Sequence, residues 1–130
     1  MGVRFPSVQA RVPGGTNVGI NTETVVATTP PLNISLDFAT VFLIWFMGHT
    51  VGATSASCSY FLRRGTTVAG AAVMGPIAQT VVAGNLVIAG GSAFDVPGAV
   101  AGQQYVLTCI DTGSTGVGAV GDAFLLAFSL

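Results

Sequence analysis

The only histidine of the chain, His49, is the first residue to consider for chemistry, because acid–base and nucleophilic mechanisms commonly use an imidazole. A catalytic triad or an acid–base pair would also need a carboxylate, for which Asp37 and Asp95 are the candidates. No recognisable motif surrounds any serine of the sequence. We therefore expect a protein that is not an enzyme and has no catalytic residue, and we interpret His49 as a loop residue that closes the preceding apolar strand.

The two cysteines, Cys58 and Cys109, are the other residues with chemistry of their own. Two cysteines cannot complete a closed zinc site alone, and His49 and the scattered carboxylates do not supply the spacing of a metal-binding motif. If the cysteines face each other across the core they can form a disulfide; otherwise they are buried thiols, and both alternatives stay open. The sequence predicts no metal site and no cofactor.

The carboxylates are spread singly along the chain. Asp111 and Asp122 flank a segment rich in Gly, Ser and Thr, which makes them the only candidates for a calcium site, although a weak pair. Asp95 precedes Val96-Pro97-Gly98, and we expect it to cap that turn. The adjacent basic pair Arg63-Arg64 is expected at a hairpin end, either paired with a carboxylate of a neighbouring subunit or solvated.

The composition favours association with other chains. Only 7% of the 130 residues are charged, against about 25% in an ordinary soluble domain, and the formal net charge is -1. Hydrophobic residues make up 51% of the chain, and there is no lysine. Near-neutral chains with few charges tend to associate, so we expect much of the surface to be buried against other subunits.

The same composition makes nucleic acid and membranes unexpected partners. A protein that neutralises phosphates needs clustered Lys and Arg, and no such cluster or basic arm is present. The longest strongly apolar run, residues 41–48, is far shorter than the about 20 residues that a membrane-spanning helix requires. The first residues also lack the apolar region of a secretory signal, so no such signal is expected.

The run Val41–Gly48 predicts the central strand of the fold. It contains no charge, and a continuous apolar strand is typical of one that is covered on both faces. We place Trp45 of this run in the core; the alternative is that Trp45 and Tyr60 stack on a sugar.

Alternating apolar and polar residues predict further strands at 32–38, 58–64 and 105–110, and Gly75-Pro76 predicts a strand end. No segment has the periodicity and caps of a helix. The sequence therefore predicts an all-β protein: an antiparallel β-sandwich, specifically a jelly roll of about eight to ten strands. We expect one domain, with residues 1–29 as an N-terminal arm and first strands and residues 30–130 as the jelly-roll core.

A turn-rich pattern, D-x-P-G-x3-G-x2-Y-x-L, occurs in the last third of the chain and is formed by Asp95, Pro97, Gly98, Gly102, Tyr105 and Leu107. With the hairpin sequence Arg63-Arg64-Gly65-Thr66 and a C-terminal apolar strand, it resembles small jelly-roll modules of tailed-phage virions, namely capsid decoration proteins and head- or tail-fibre domains. Those modules are broadly similar to the trimeric tumour-necrosis-factor and complement-C1q folds. The resemblance covers residues 30–130. It implies a homotrimer on a capsid or tail, and assembly in a reducing cytoplasm, which favours free thiols over a disulfide.

These observations predict a structural virion protein, a capsid decoration or cement subunit that binds copies of itself and a major capsid protein. We expect it on the virion surface after assembly in the host cytoplasm. The alternative is a receptor- or carbohydrate-binding head module of a phage fibre. The residues predicted for the subunit interface are apolar and lie at the two ends of the chain: Phe5, Val8, Phe124, Leu126, Phe128 and Leu130.

Overall fold

Antiparallel β-strands make up the regular structure of the chain. The computed structural model describes residues 6–13, 16–18, 21–50, 56–112 and 118–130, which contain eleven strands and no helix. The strands are β1 (Ser7–Val12), β2 (Thr16–Val18), β3 (Thr24–Thr28), β4 (Leu32–Ile34), β5 (Val41–Thr50), β6 (Ala56–Arg64), β7 (Ala72–Val81), β8 (Val87–Asp95), β9 (Val100–Gln103), β10 (Tyr105–Thr112) and β11 (Gly118–Ser129). A search of these ranges for a helix of the length and hydropathy that a bilayer requires finds none.

The strands form two main sheets with jelly-roll topology. Sheet A has the order β1-β11-β5-β8, with β2 paired beside β11, and sheet B has the order β3-β10-β6-β7. The eight strands of these two paths can be numbered from one to eight along the chain. Sheet A then has the order 1-8-3-6 and sheet B has the order 2-7-4-5, which is the strand order of a jelly roll. The predicted fold class, an all-β antiparallel sandwich of the jelly-roll type, is confirmed.

The described part of residues 1–29 belongs to both sheets. β1 pairs with β11 along its whole length and lies at an edge of sheet A, which is a position that tolerates the preceding Pro6. β3 pairs with β10 and forms an edge of sheet B. The first strands are therefore integral to the sandwich.

β5 is a central strand of sheet A, between β11 and β8, as its apolar run predicts. Its side chains alternate: Leu43 and Trp45 are buried between the sheets, whereas Ile44 and Phe46 are 41% and 45% exposed on the outer face. The prediction that this strand is covered on both faces is wrong for the single chain. A two-layer sandwich covers only the inner face of each sheet, and no third layer lies over β5 in the described residues.

The core between the sheets is apolar over most of its length. Trp45 of sheet A packs on Tyr60 of sheet B, with ring centroids 5.4 Å apart. Leu62 and Leu107 of sheet B, like Leu43 and Leu125 of sheet A, are fully buried. Burial of such side chains contributes about 1.5–3 kcal/mol each and fixes the two sheets face to face.

β7 continues through Gly75-Pro76 to Val81, although the sequence predicts a strand end there. The register between β6 and β7 shifts near this position, so the strand accommodates the proline at an irregularity of the pairing. β7 is also an edge strand, where a missing N–H donor costs least. The strand predicted at 32–38 is shorter than expected, because β4 ends at Ile34 and Phe38 is exposed.

Both arginines at the end of β6 form ion pairs within the chain. Arg64 contacts both carboxylate oxygens of Asp95, with Nε donating to Oδ2 at 2.7 Å, and the Tyr105 hydroxyl donates to Oδ2 at 3.0 Å. Because Asp95 ends β8 in sheet A while Arg64 and Tyr105 belong to sheet B, this contact links the sheets. Arg63 pairs with Glu23 at 2.8 Å. The carboxylate partners of Arg63 and Arg64 therefore lie within the chain, and the Arg64 side chain remains 40% exposed.

We expect Asp95→Asn to lower the free energy of unfolding at neutral pH by about 1–3 kcal/mol, since it removes a charged acceptor from a partly exposed guanidinium. Burial raises the pKa of Asp95, but the hydrogen bonds from Arg64 and Tyr105 outweigh burial and hold this pKa below its ordinary value. The stabilisation is therefore present above about pH 4 and is lost as the pH falls further. Urea titrations of both proteins should show their difference shrinking towards acid pH.

The exposed carboxylate of Asp37, which accepts a hydrogen bond from the Ala99 N–H, offers the matched control. Asp37→Asn should change the free energy of unfolding by less than about 0.5 kcal/mol. A difference between wild type and Asp95→Asn that stays constant down to about pH 2 would contradict the assignment.

Candidate functional site

The outer face of sheet A is apolar where a solvated face would be polar. It is formed by outward-facing apolar residues of three neighbouring strands and is called the aromatic face here: Phe42, Ile44, Phe46, Ile88, Phe94, Phe124, Leu126 and Phe128. On β8, Gly90 and Ser92 lie between the two apolar members, and Ser92 is opposite Ile44. Phe94 is 69% exposed and Ile88 is 72% exposed, and the members on β11 are half-buried by their neighbours. Half-buried antiparallel strands usually alternate apolar-in and polar-out, so this pattern leaves apolar area in water.

Ring stacking across the strands holds the aromatic face in a fixed arrangement. Phe42 lies opposite Phe128 with ring centroids 5.5 Å apart and planes at 15°, and Phe46 lies opposite Phe124 at 5.2 Å and 19°. Phe94 continues the first row, 6.3 Å from Phe42. Directly opposite aromatic pairs stabilise a sheet by about 0.2–1 kcal/mol each, so the stacking favours this arrangement of the rings.

Polar and small residues border the aromatic face. On β1, the outward residues Ser7, Gln9 and Arg11 pair with Phe128, Leu126 and Phe124 and are exposed. On β8, Gly90 lies opposite Phe46, and no side chain covers the ring there. The face therefore has an apolar centre with a charged, polar rim on one side, which is the anatomy of a protein interface.

Three of the predicted interface residues, Phe124, Leu126 and Phe128, lie on the aromatic face. Leu130 follows β11 and is 50% exposed. Val8 is half-buried and packs against the chain's own core, on the opposite side of the sheet. Phe5 lies outside the described residues.

Sequence reasoning missed the contributions of β5 and β8 to the aromatic face. The run Val41–Gly48 was assigned wholly to the core, so Phe42, Ile44 and Phe46 were not considered as surface residues. Ile88 and Phe94 are six positions apart, so in a strand with a period of two they lie on the same face. That signal became informative only with the strand order.

A second feature is a buried polar cluster at one end of the sandwich. His49 Nε2 lies 3.0 Å from Asp111 Oδ1, and the Cys58 thiol donates to the same oxygen at 2.8 Å. On the other side of the ring, Nδ1 lies 3.4 Å from the Tyr60 hydroxyl and 3.6 Å from Cys109 Sγ. All five side chains are fully buried.

The strand pattern explains how the cluster forms. His49 is inward-facing on β5 in sheet A, two residues after Met47, and it is a strand residue, so the interpretation as a loop residue is wrong. Cys58 lies directly opposite Asp111 in the pairing of β6 with β10, and Tyr60 lies opposite Cys109. The cluster therefore spans both sheets.

Burial and mutual contact shift the pKa values in the cluster. Burial lowers the pKa of His49, but Cys58 and Asp111 outweigh it, so this pKa lies above its ordinary value. The Cys109 thiol lowers the pKa of Cys58 to about 7, helped by His49 and opposed by burial and by Asp111. The pKa of Cys109 is raised, chiefly by its contact with Cys58 and then by burial.

The structure brings His49 to Asp111, and neither Asp37 nor Asp95, the carboxylates that the sequence offered as partners, contacts it. Asp95 contacts Arg64 and the Tyr105 hydroxyl. Asp111 is fully buried in this cluster, whereas Asp122 is exposed.

Both cysteines are free and buried, in agreement with the thiol alternative. Their neighbours in the cluster are polar, and all of these side chains are fully buried. Trp45 and Tyr60 are buried as well, which removes both as a sugar-stacking pair.

Comparisons with known proteins identify the fold and no family. No protein-family profile and no curated protein matches the sequence. A chain in the structure of infectious bursal disease virus Gt strain shares 9% identity over 95% of this chain with a TM-score of 0.59, and the Gx strain shares 6% over 95% with 0.56. This chain spans 32% and 31% of those two chains, about a third of each. Eiger TNF from S. frugiperda aligns with 96% of this chain and 93% of its own at 11% identity and a TM-score of 0.43. At such identities the similarity concerns the sandwich fold alone.

Removing one member of the buried cluster should be costly. We expect Asp111→Leu, measured by urea unfolding with a chelator present, to lower the free energy of unfolding by about 3–5 kcal/mol, since His49 and Cys58 then lose their acceptor. The double variant His49→Leu/Asp111→Leu removes both charged partners together and should cost less than the sum of the two single changes. Strictly additive costs would contradict the assignment of a coupled pair.

Proposed function

We propose that this protein is a structural subunit of a virion surface that assembles as a homotrimer and decorates a capsid. The observation that carries the proposal is the aromatic face, an ordered apolar surface on a chain with few charges. The occupant we assign to this face is another copy of the same chain. The role is structural and does not involve catalysis.

The size of the aromatic face supports association. The face spans four residue steps along β5 and β11, six along β8 and three strands across, which gives about 13–20 Å by 15 Å, on the order of 200–300 Å² in projection. That area is at the lower end of the largest apolar patches of typical monomers, about 300–600 Å², which are often functional. Stable interfaces bury about 800 Å² per partner, so the face would supply the apolar centre and the polar residues of β1 the rim.

The composition supports a copy of this chain as the occupant. With 7% charged residues and a net charge of -1, two copies repel each other little. The border on β1 carries Arg11 and uncharged polar groups, which can pair with backbone carbonyls of a neighbour. Burial of apolar area contributes roughly 25 cal/mol per Å² before the costs of association.

The virion assignment rests on less specific support. The turn pattern at 95–107 resembles tailed-phage modules, and the sandwich is similar in fold to chains of two viral structures. We propose a major capsid protein as the second partner and the virion exterior as the location, after assembly in a host cytoplasm. The alternative of a carbohydrate-binding head has less support, because Trp45, Tyr60 and Tyr105 are all buried.

Light scattering coupled to size exclusion tests the self-association directly. We expect wild type at micromolar concentration to elute with about three times the 13.0 kDa mass of one chain. Ile44→Glu places a charge in the centre of the aromatic face. It should shift the protein to the monomer, because an interface at this face would have to desolvate the carboxylate.

The chain offers a matched control in Ile77, which is 42% exposed on β7 in sheet B, against 41% for Ile44. Ile77→Glu should leave the oligomer intact. A monomeric wild type, or an Ile44→Glu variant that remains oligomeric while folded, would overturn the self-association. Antibody labelling of intact particles separately tests the virion location, and labelling confined to free protein would contradict it.

A further inference from the structure

We propose that His49, Cys58, Cys109 and Asp111 bind one zinc ion between the two sheets, in a closed structural site. The proposal is independent of the oligomeric state and of the virion assignment. It concerns the buried cluster, whose donors come from β5 of sheet A and from β6 and β10 of sheet B.

The donor atoms lie close together, at or somewhat below the separations of a tetrahedral site. Zn–S bonds of about 2.3 Å and Zn–N or Zn–O bonds of about 2.0 Å put neighbouring ligand atoms about 3.3–3.8 Å apart. Here His49 Nε2 is 3.0 Å from Asp111 Oδ1 and 3.8 Å from Cys58 Sγ, and the Cys58–Asp111 separation is 2.8 Å. Ligand atoms of His49, Cys109 and Asp111 all lie within 4.8 Å of one another. Cys58 and Asp111 lie at Nε2, whereas Cys109 Sγ lies 3.6 Å from Nδ1 of the same ring, so the Cys109 side chain or the imidazole must rotate to bring all four donors around one point.

The donor types favour zinc. Two soft thiolates, a borderline imidazole and one hard carboxylate form a donor set that suits Zn²⁺ better than Ca²⁺ or Mg²⁺, which prefer oxygen ligands alone. Binding at Nε2 leaves the Nδ1–H of His49 to donate a hydrogen bond, and the Tyr60 hydroxyl lies 3.4 Å from Nδ1 as its acceptor. Ligating histidines almost always have such a partner on the other nitrogen.

Full burial is the second argument. A carboxylate, two thiols and an imidazole lie together without solvent, and the cationic group nearest to Asp111 is a histidine that would have to be protonated. A divalent cation satisfies all four groups at once and removes the cost of an isolated buried charge. On binding, the two thiol protons leave to solvent, His49 binds as the neutral imidazole and Asp111 as the carboxylate.

Cobalt substitution tests the proposal on the full chain. Because the site is sealed, metal should be supplied while the reduced chain refolds from urea. We expect one Co²⁺ per chain, with the intense visible bands of tetrahedral cobalt and a near-ultraviolet sulfur-to-cobalt charge-transfer band, and displacement of cobalt by one equivalent of zinc. Cys109→Ser should reduce the charge-transfer band by about half, since one of two thiolates remains.

Two variants complete the design. Asp37→Asn, a carboxylate outside the cluster, should bind cobalt as wild type does. Tyr60→Phe keeps all four ligands and removes the acceptor for Nδ1, so it should weaken cobalt binding about 10-fold even where ligand variants fail to fold. Wild type that refolds, by circular dichroism, yet shows only the weak spectrum of hydrated cobalt would overturn the proposal. So would tight binding that is unchanged in Tyr60→Phe.

Discussion

A two-layer sandwich can bury only one side of each strand, and this constraint governs the rest of the molecule. β5 is apolar on both sides, yet sheet B covers only the side that carries Leu43 and Trp45. The other side is exposed to solvent, together with the neighbouring apolar residues of β11 and β8. The surface chemistry of the domain follows from that surplus of apolar side chains more than from any polar motif.

The sequence was sufficient for the fold class, because period-two alternation and turn residues recur over the whole chain. It also placed β6, β10 and β11 nearly at their observed bounds. It was insufficient for Gly75-Pro76, where pairing with β6 holds an edge strand together through a proline. Local chemistry predicts a strand end at such a dipeptide, and only the neighbouring strand decides otherwise.

For the candidate sites too, the sequence predicts the local features and the neighbouring strands decide the rest. The alternation places His49 on the side of Trp45, and it places Cys58 on the side of Tyr60, so each inward position was available from the sequence. The sequence does not show which strands lie opposite one another. For that reason it does not identify Asp111, on β10, as the partner of His49. The face of β5 was misassigned for the same reason: an apolar run indicates burial without indicating which molecule provides the cover.

Two of the ion pairs of the described residues join the sheets at their two ends. His49 and Asp111 connect them near the start of β6, and Arg64 and Asp95 connect them where β6 ends. Sliding of one sheet over the other would have to break both polar contacts before it disturbed the packing of the rings between them. The jelly roll is thus pinned at each end against shear.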